Sequence, residues 1–168
     1  MKRYQFILAG LVGAGLLVAA LYWIARGKTA RVEGSITEVR TLGMDRNSSV
    51  AVVDFEFTNR SEALVMIADR DLIVVDQHDS AHESYTLKTA DLRQLFRYFP
   101  ALGEIKHEPL VHRTTIPSGE SLRGMVGARF EIPKHELDLR REIVFRVADV
   151  DGAVSELSLE SDQPSSAE

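Results

Sequence analysis

Residues Phe6 to Ala25 form a run of 20 residues without a single charge, and Arg26, Lys28 and Arg31 follow at once. A helix rises ~1.5 Å per residue, so this run spans roughly 30 Å, the hydrocarbon thickness of a bilayer. Ten side chains in it promote insertion: Phe6, Ile7, Leu8, Leu11, Val12, Leu16, Leu17, Val18, Leu21 and Ile24. Together they favour the membrane by about 3–6 kcal/mol before the glycines subtract from it. Tyr22 and Trp23 stand at the distal end, where amphipathic rings prefer the headgroup level. The expected organisation is a basic flank (1–5), a transmembrane helix (6–25), a juxtamembrane linker (26–34), a folded domain (35–160) and a disordered acidic tail (161–168).

A cleaved signal peptide would have a shorter apolar core with a small-residue site beyond it. Here the nearest such site, Val18-Ala19-Ala20, lies inside the run, so a retained anchor is expected. Lipid attachment needs a cysteine, and the chain has none. Basic residues flank both ends, so the positive-inside rule does not orient the helix. The orientation expected, an inner-membrane anchor with the domain in the periplasm or outside the cell, rests on the character of the domain. Gly10, Gly13 and Gly15, with alanines four residues away, are candidate helix-packing positions.

Residues 1–31 hold five basic and no acidic groups, leaving 15 basic and 25 acidic in the remainder, a net charge of −10. That balance disfavours nucleic acid as a partner. The bilayer, through residues 6–25, and another envelope protein are the partners expected.

Beyond the anchor, the hydropathy pattern is mostly period two. Val53, Phe55 and Phe57 alternate with Asp54, Glu56 and Thr58, as in a strand with one face buried. Ala63–Ala68 and Leu72–Val75 read as two short strands split by Asp69-Arg70-Asp71. Leu110–Thr115, Leu122–Ile132, the Ile143, Phe145, Val147 series and Val154–Leu159 read as further strands. The period changes once. Leu92, Leu95, Phe96 and Phe99 lie at i, i+3, i+4 and i+7, one face of a helix, with Thr89 as cap and Pro100 as stop. Such a helix is expected to pack across one end of the domain. Seven to nine strands, frequent turn signals and one inserted helix predict a mainly β, immunoglobulin-like antiparallel sandwich.

Two stretches, Val50–Ser61 (VAVVDFEFTNRS) and Ile116–Pro133 (IPSGESLRGMVGARFEIP), give a charged-alternating strand ending in a Thr-Asn turn, then a Pro-Gly turn and a glycine-bearing strand. In this order they resemble the membrane-anchored, immunoglobulin-like (telokin-like) extracytoplasmic domains of bacteria. The first stretch is also similar to the late-embryogenesis-abundant domains of the water-stress type. The resemblance implies an extracytoplasmic β-sandwich used for binding or envelope support. It carries no catalytic residues, and the inserted helix departs from both families.

No catalytic, cofactor or metal site is expected. His78 and His82, near Asp76, Asp79 and Glu83, would share a face only in a helix, and the stretch reads as a polar loop. Asp149-x-Asp151-Gly152 is a fragment of a calcium loop and reads as a hairpin turn. Asp69, Asp71, Asp76 and Asp79 read as a solvated edge that discourages strand-to-strand aggregation. Ser118 and Ser121 lack a nucleophile-elbow context. The function expected is a non-enzymatic binding or scaffolding module, with Leu92, Leu95, Phe96, Tyr98 and Phe99 as candidate partner-binding residues. Two alternatives are an accessory subunit assembled through its membrane helix and a metal-dependent hydrolase of unrecognised type.

Overall fold

A computed structural model describes residues 32–161. The apolar run 6–25, with Gly10, Gly13 and Gly15, lies outside the described residues. Among the described residues no helix is long and apolar enough to cross a membrane.

The described chain is mainly β. Its strands are β1 (Val32–Gly43), β2 (Ser49–Asn59), β3 (Val65–Val75), β4 (Ala81–Glu83), β5 (Tyr85–Thr86), β6 (Thr115–Ile116), β7 (Ser121–Phe130), β8 (Glu142–Asp149) and β9 (Val154–Glu160). Helix α1 (Thr89–Tyr98) stands between β5 and β6, and α2 (Lys134–Asp138) between β7 and β8. One sheet has the order β1-β2-β7-β5, and the other runs β4-β3-β8-β9 with β6 beside β3. All strand pairs are antiparallel.

Alternation places Ala51, Val53, Phe55 and Phe57 of β2 between the sheets, where they meet Leu72 and Val74 of β3 and Ile143, Phe145 and Val147 of β8. Three rings centre this core: Phe55–Phe57 centroids are 4.6 Å apart, Phe55–Phe145 4.8 Å and Phe57–Phe145 5.4 Å. β2 departs from the expected pattern, because its first seven residues are buried on both faces. The reason is a second cluster on the outer face of the first sheet. Val50, Val52 and Met125 are covered there by Leu92, Leu95 and Phe96 of α1 and by Leu102. α1 therefore lies across a sheet face and not across one end of the domain. Asp54, expected to face solvent, is fully buried beneath this cover.

Two other expectations change. β3 is one strand of 11 residues, not two short ones. Asp69-Arg70-Asp71 stays in the ladder because a register shift between Ile67 and Asp69 absorbs one residue. Leu110–Thr115 is mostly not strand: Pro109 makes only an isolated bridge to Met125, and pairing resumes at Thr115.

The registers define two poles. The near pole gathers Val32, the turn after Asn59, the turn at Gly119 and the β8–β9 hairpin at Gly152. Asn59, fully buried, holds it: its side-chain amide donates to the carbonyls of Ala63 and Ile116, and its oxygen accepts from Ser61. The far pole gathers the β1–β2 and β3–β4 turns, α2 and Ser161, whose amide donates to the Arg141 carbonyl. Near the first pole, Gly34 lies so close to β2 that a Cβ there would sit 2.0 Å from the Glu56 carbonyl oxygen. Gly34→Ala must displace the strand, and a loss of about 1–3 kcal/mol is expected. A urea midpoint equal to that of the parent would contradict this.

Candidate functional site

The most heavily built polar feature lies under the segment that follows α1. Proline at 100 cannot continue an α-helix, and the chain tightens into a 3-10 turn over Pro100–Leu102 before Gly103 redirects it at φ 77°. Residues 103–108 then cross the outer face of β1 and β2 as a strap. A register shift between Ile36 and Glu38 turns Glu38, Arg40 and Leu42 to that same face.

Arg40 is the hub. Its Nη2 lies 2.5 Å from Asp54 Oδ2, and its Nη1 donates to the carbonyls of Leu102 (3.0 Å) and Glu104 (2.8 Å). Its guanidinium stacks over the Phe96 ring, 4.9 Å from the centroid, which also fixes α1. Asp54 Oδ1 accepts from His107 Nδ1 at 3.0 Å. Glu38 closes the ring of charge, 3.5 Å from Arg40 Nε and 2.9 Å from Lys106 Nζ. The side chain of Asp54 is 1% exposed and that of Arg40 12%. Both oxygens of Asp54 are engaged, so the arrangement anchors strap and helix to the sheet. At the strap's end, Met125 N donates to the Glu108 carbonyl and Leu110 N to that of Met125, which stitches the segment to β7.

The candidate partner residues divide accordingly. Leu92, Leu95 and Phe96 are buried in the outer cluster, and Phe99 is half-buried against it. Tyr98 is 70% exposed. Thr89 is the first residue of α1, not its cap; Lys88 holds the cap position without a side-chain hydrogen bond.

The histidine pair lies at the far pole. His82 Nε2 is 3.1 Å from Asp76 Oδ2, whereas His78 meets Asp76 through its backbone amide. Asp76 Oδ1 also accepts from Ser80 N. These donors, with the Ser80 amide foremost and His82 next, hold the Asp76 carboxyl down at about 2. A depressed carboxyl stabilises the fold above its ordinary value, and the contribution fades as pH falls toward its folded value. Amide protection at His78 and Ser80 is therefore expected to disappear as pH drops from 3.8 through about 2, and Asp76→Ala should abolish it at neutral pH. Protection in that variant like the parent's would refute the assignment. Asp76, Gln77 and His78 line a cavity of ≈ 320 Å³ with Glu136 and Leu139 of the α2 region. Among the described residues no group of three or more His, Asp or Glu side chains is arranged to hold a metal ion.

The remaining polar candidates shape turns. Asp149 Oδ1 accepts from the amides of Met66 and Val150, and Asp151 is exposed. Ser118 donates to the Ser61 carbonyl, and Ser121 bonds Thr58. Of the acidic group, Asp69, Asp71 and Asp79 are exposed, and Asp76 is half-buried at its turn. Sequence reasoning missed the Arg40–Asp54–His107 assembly, whose one visible signal was the apolar run Val50–Val53 beside Asp54.

No family model matches the chain, and no curated protein matches it. Among solved structures, it is similar to a candidate lipoprotein, YcdA, of Bacillus subtilis at 12% identity and a TM-score of 0.48, with 81% of this chain covered. The match spans only 39% of that protein. A candidate ApaA protein of Bordetella pertussis is similar at 15% identity and a TM-score of 0.37, over 82% of this chain and 98% of that one. The Iho670 flagellar-like filament follows at 10% identity and 0.33, over 93% and 96%. Scores of this size do not establish a shared fold, and the mainly β, two-sheet architecture stands on the chain's own strands.

Proposed function

We propose that this chain is a single-pass, membrane-anchored binding or scaffolding module of the cell envelope, an immunoglobulin-like sandwich held in the periplasm or outside the cell. One observation carries the reading. Six residues, 26–31, lie between the end of the apolar run at Ala25 and the start of β1 at Val32. Six extended residues reach at most about 20 Å. The near pole is thereby kept close to the bilayer, and the far pole points away from it. The acidic balance of the domain keeps it standing off anionic lipid. The clamped helix and strap add a rigid outer face, on which Tyr98 is an exposed aromatic offered to a partner.

Proteinase added to spheroplasts should remove the domain while leaving a short membrane-bound fragment. Full protection until the membrane is dissolved would place the domain in the cytoplasm and refute the proposal. A photo-crosslinking side chain at Tyr98 should capture a discrete envelope protein in intact cells. Loss of that product on adding a second substitution, Arg97→Glu, would map the contact to this face.

A further inference from the structure

Arg70 is half-buried on the face of β3 that carries core residues. Past the shift at Ile67/Asp69, Leu72 and Val74 of β3 point into the core, and both are fully buried. Arg70 stands two residues before Leu72, on the same face, and its cross-strand partner is Val147, a core residue. A charge turned inward is costly unless it is paired. Arg70 is not: among the described residues its guanidinium forms no ion pair, and its Nε is buried without a hydrogen-bond partner. Burial pulls its pKa below the ordinary arginine value, with Asp69 opposing the shift.

Arg70 lines a cavity of ≈ 180 Å³. Two further basic side chains line it from different segments: Lys88, just before α1, and His112, beyond the strap. Thr86 and Leu87 form part of the wall, and Thr86 Oγ1 is committed to the Arg70 carbonyl. The acidic member of the lining is Asp69, whose Oδ1 is turned onto the Arg70 backbone amide. Arg70 and Lys88 thus outweigh Asp69. In a stretch, residues 32–168, of net charge −10, this is a local reversal of sign.

We propose that the Arg70–Lys88–His112 cavity is a binding site for a small oxyanion, a carboxylate or phosphoryl group, that supplies the counter-charge Arg70 lacks. The volume is below the ~300–1,000 Å³ of drug-sized pockets, so it admits a head group and not a whole cofactor. The guanidinium fork suits the planar edge of a carboxylate or two oxygens of a phosphate.

The test is titration of the full-length chain, in neutral detergent at constant ionic strength, with inorganic phosphate and separately with acetate, chloride balancing the salt. Saturable one-site binding is expected for at least one of the two. Saturation by phosphate alone assigns a phosphoryl ligand, and saturation by acetate assigns a carboxylate. Arg70→Met should weaken binding by roughly tenfold or more, while its anion-free melting temperature stays level or rises because an unpaired inward charge is gone. Lys88→Gln, at an exposed position, should weaken binding several-fold without changing the melting temperature. No saturation of the parent by either anion, or the same response in parent and both variants, would overturn the proposal.

Discussion

Asp54→Ala lowers the stability of the chain by about 3–5 kcal/mol, because it strips a buried guanidinium of its nearest counter-charge. For a domain of this size that is a fall of roughly 10–20 °C in melting temperature. The loss has two parts. Arg40 keeps its bonds to the Leu102 and Glu104 carbonyls and its longer contact with Glu38, but faces an empty site where its closest carboxylate stood. His107 loses its acceptor, so the strap also loses one of its ties to the sheet. The double variant Arg40→Met, Asp54→Leu separates charge from packing. It should recover most of the stability, since an apolar pair of similar volume is often as good as a buried ion pair. Urea denaturation of the two variants checks both statements. A loss below ~1 kcal/mol for Asp54→Ala would mean that the clamp contributes no more than a surface pair.

Phe145→Ala is the second large effect, at about 3–5 kcal/mol. Phe145 is fully buried and touches the rings of both Phe55 and Phe57, so it ties the two sheets at their centre. Truncation leaves a void between rings held by separate ladders, and neither sheet can close it without breaking register. Phe145→Leu, which keeps more of the volume, should lose distinctly less. The comparison is again a denaturant midpoint, with the slope unchanged if only packing is affected.

These two sites differ in how far the sequence announces them. Phe145 is plain: Ile143, Phe145 and Val147 fall at alternate positions, with Glu142 and Arg146 among the residues of the other face, and such a series has one inward face wherever the strand lies. The inserted helix is equally plain, because Leu92, Leu95 and Phe96 change the period. What the period leaves open is where that helix lands. Its target is the outer face of β2, and the apolar Val50 and Val52 on that face belong to a strand covered on both sides. Asp54 follows them in the same parity, so its burial depends on tertiary cover that no local pattern specifies. Arg40 meets Asp54 only through the β1–β2 register and its one-residue shift. Arg70 is hidden in the same way. Asp69-Arg70-Asp71 looks like a polar break between strands, and only the bulge in β3 turns its middle residue inward.

The opposite placement of Val32 and Ser161 has a mechanical consequence. Tension applied between them is directed along β1 and β9, the outermost strands of their sheets. It slides each strand lengthwise past its neighbour, so the ladder bonds share the load and must rupture together. A hairpin pulled from one end would instead peel open bond by bond. A body strung in this way resists stretching far better than its equilibrium stability alone would suggest.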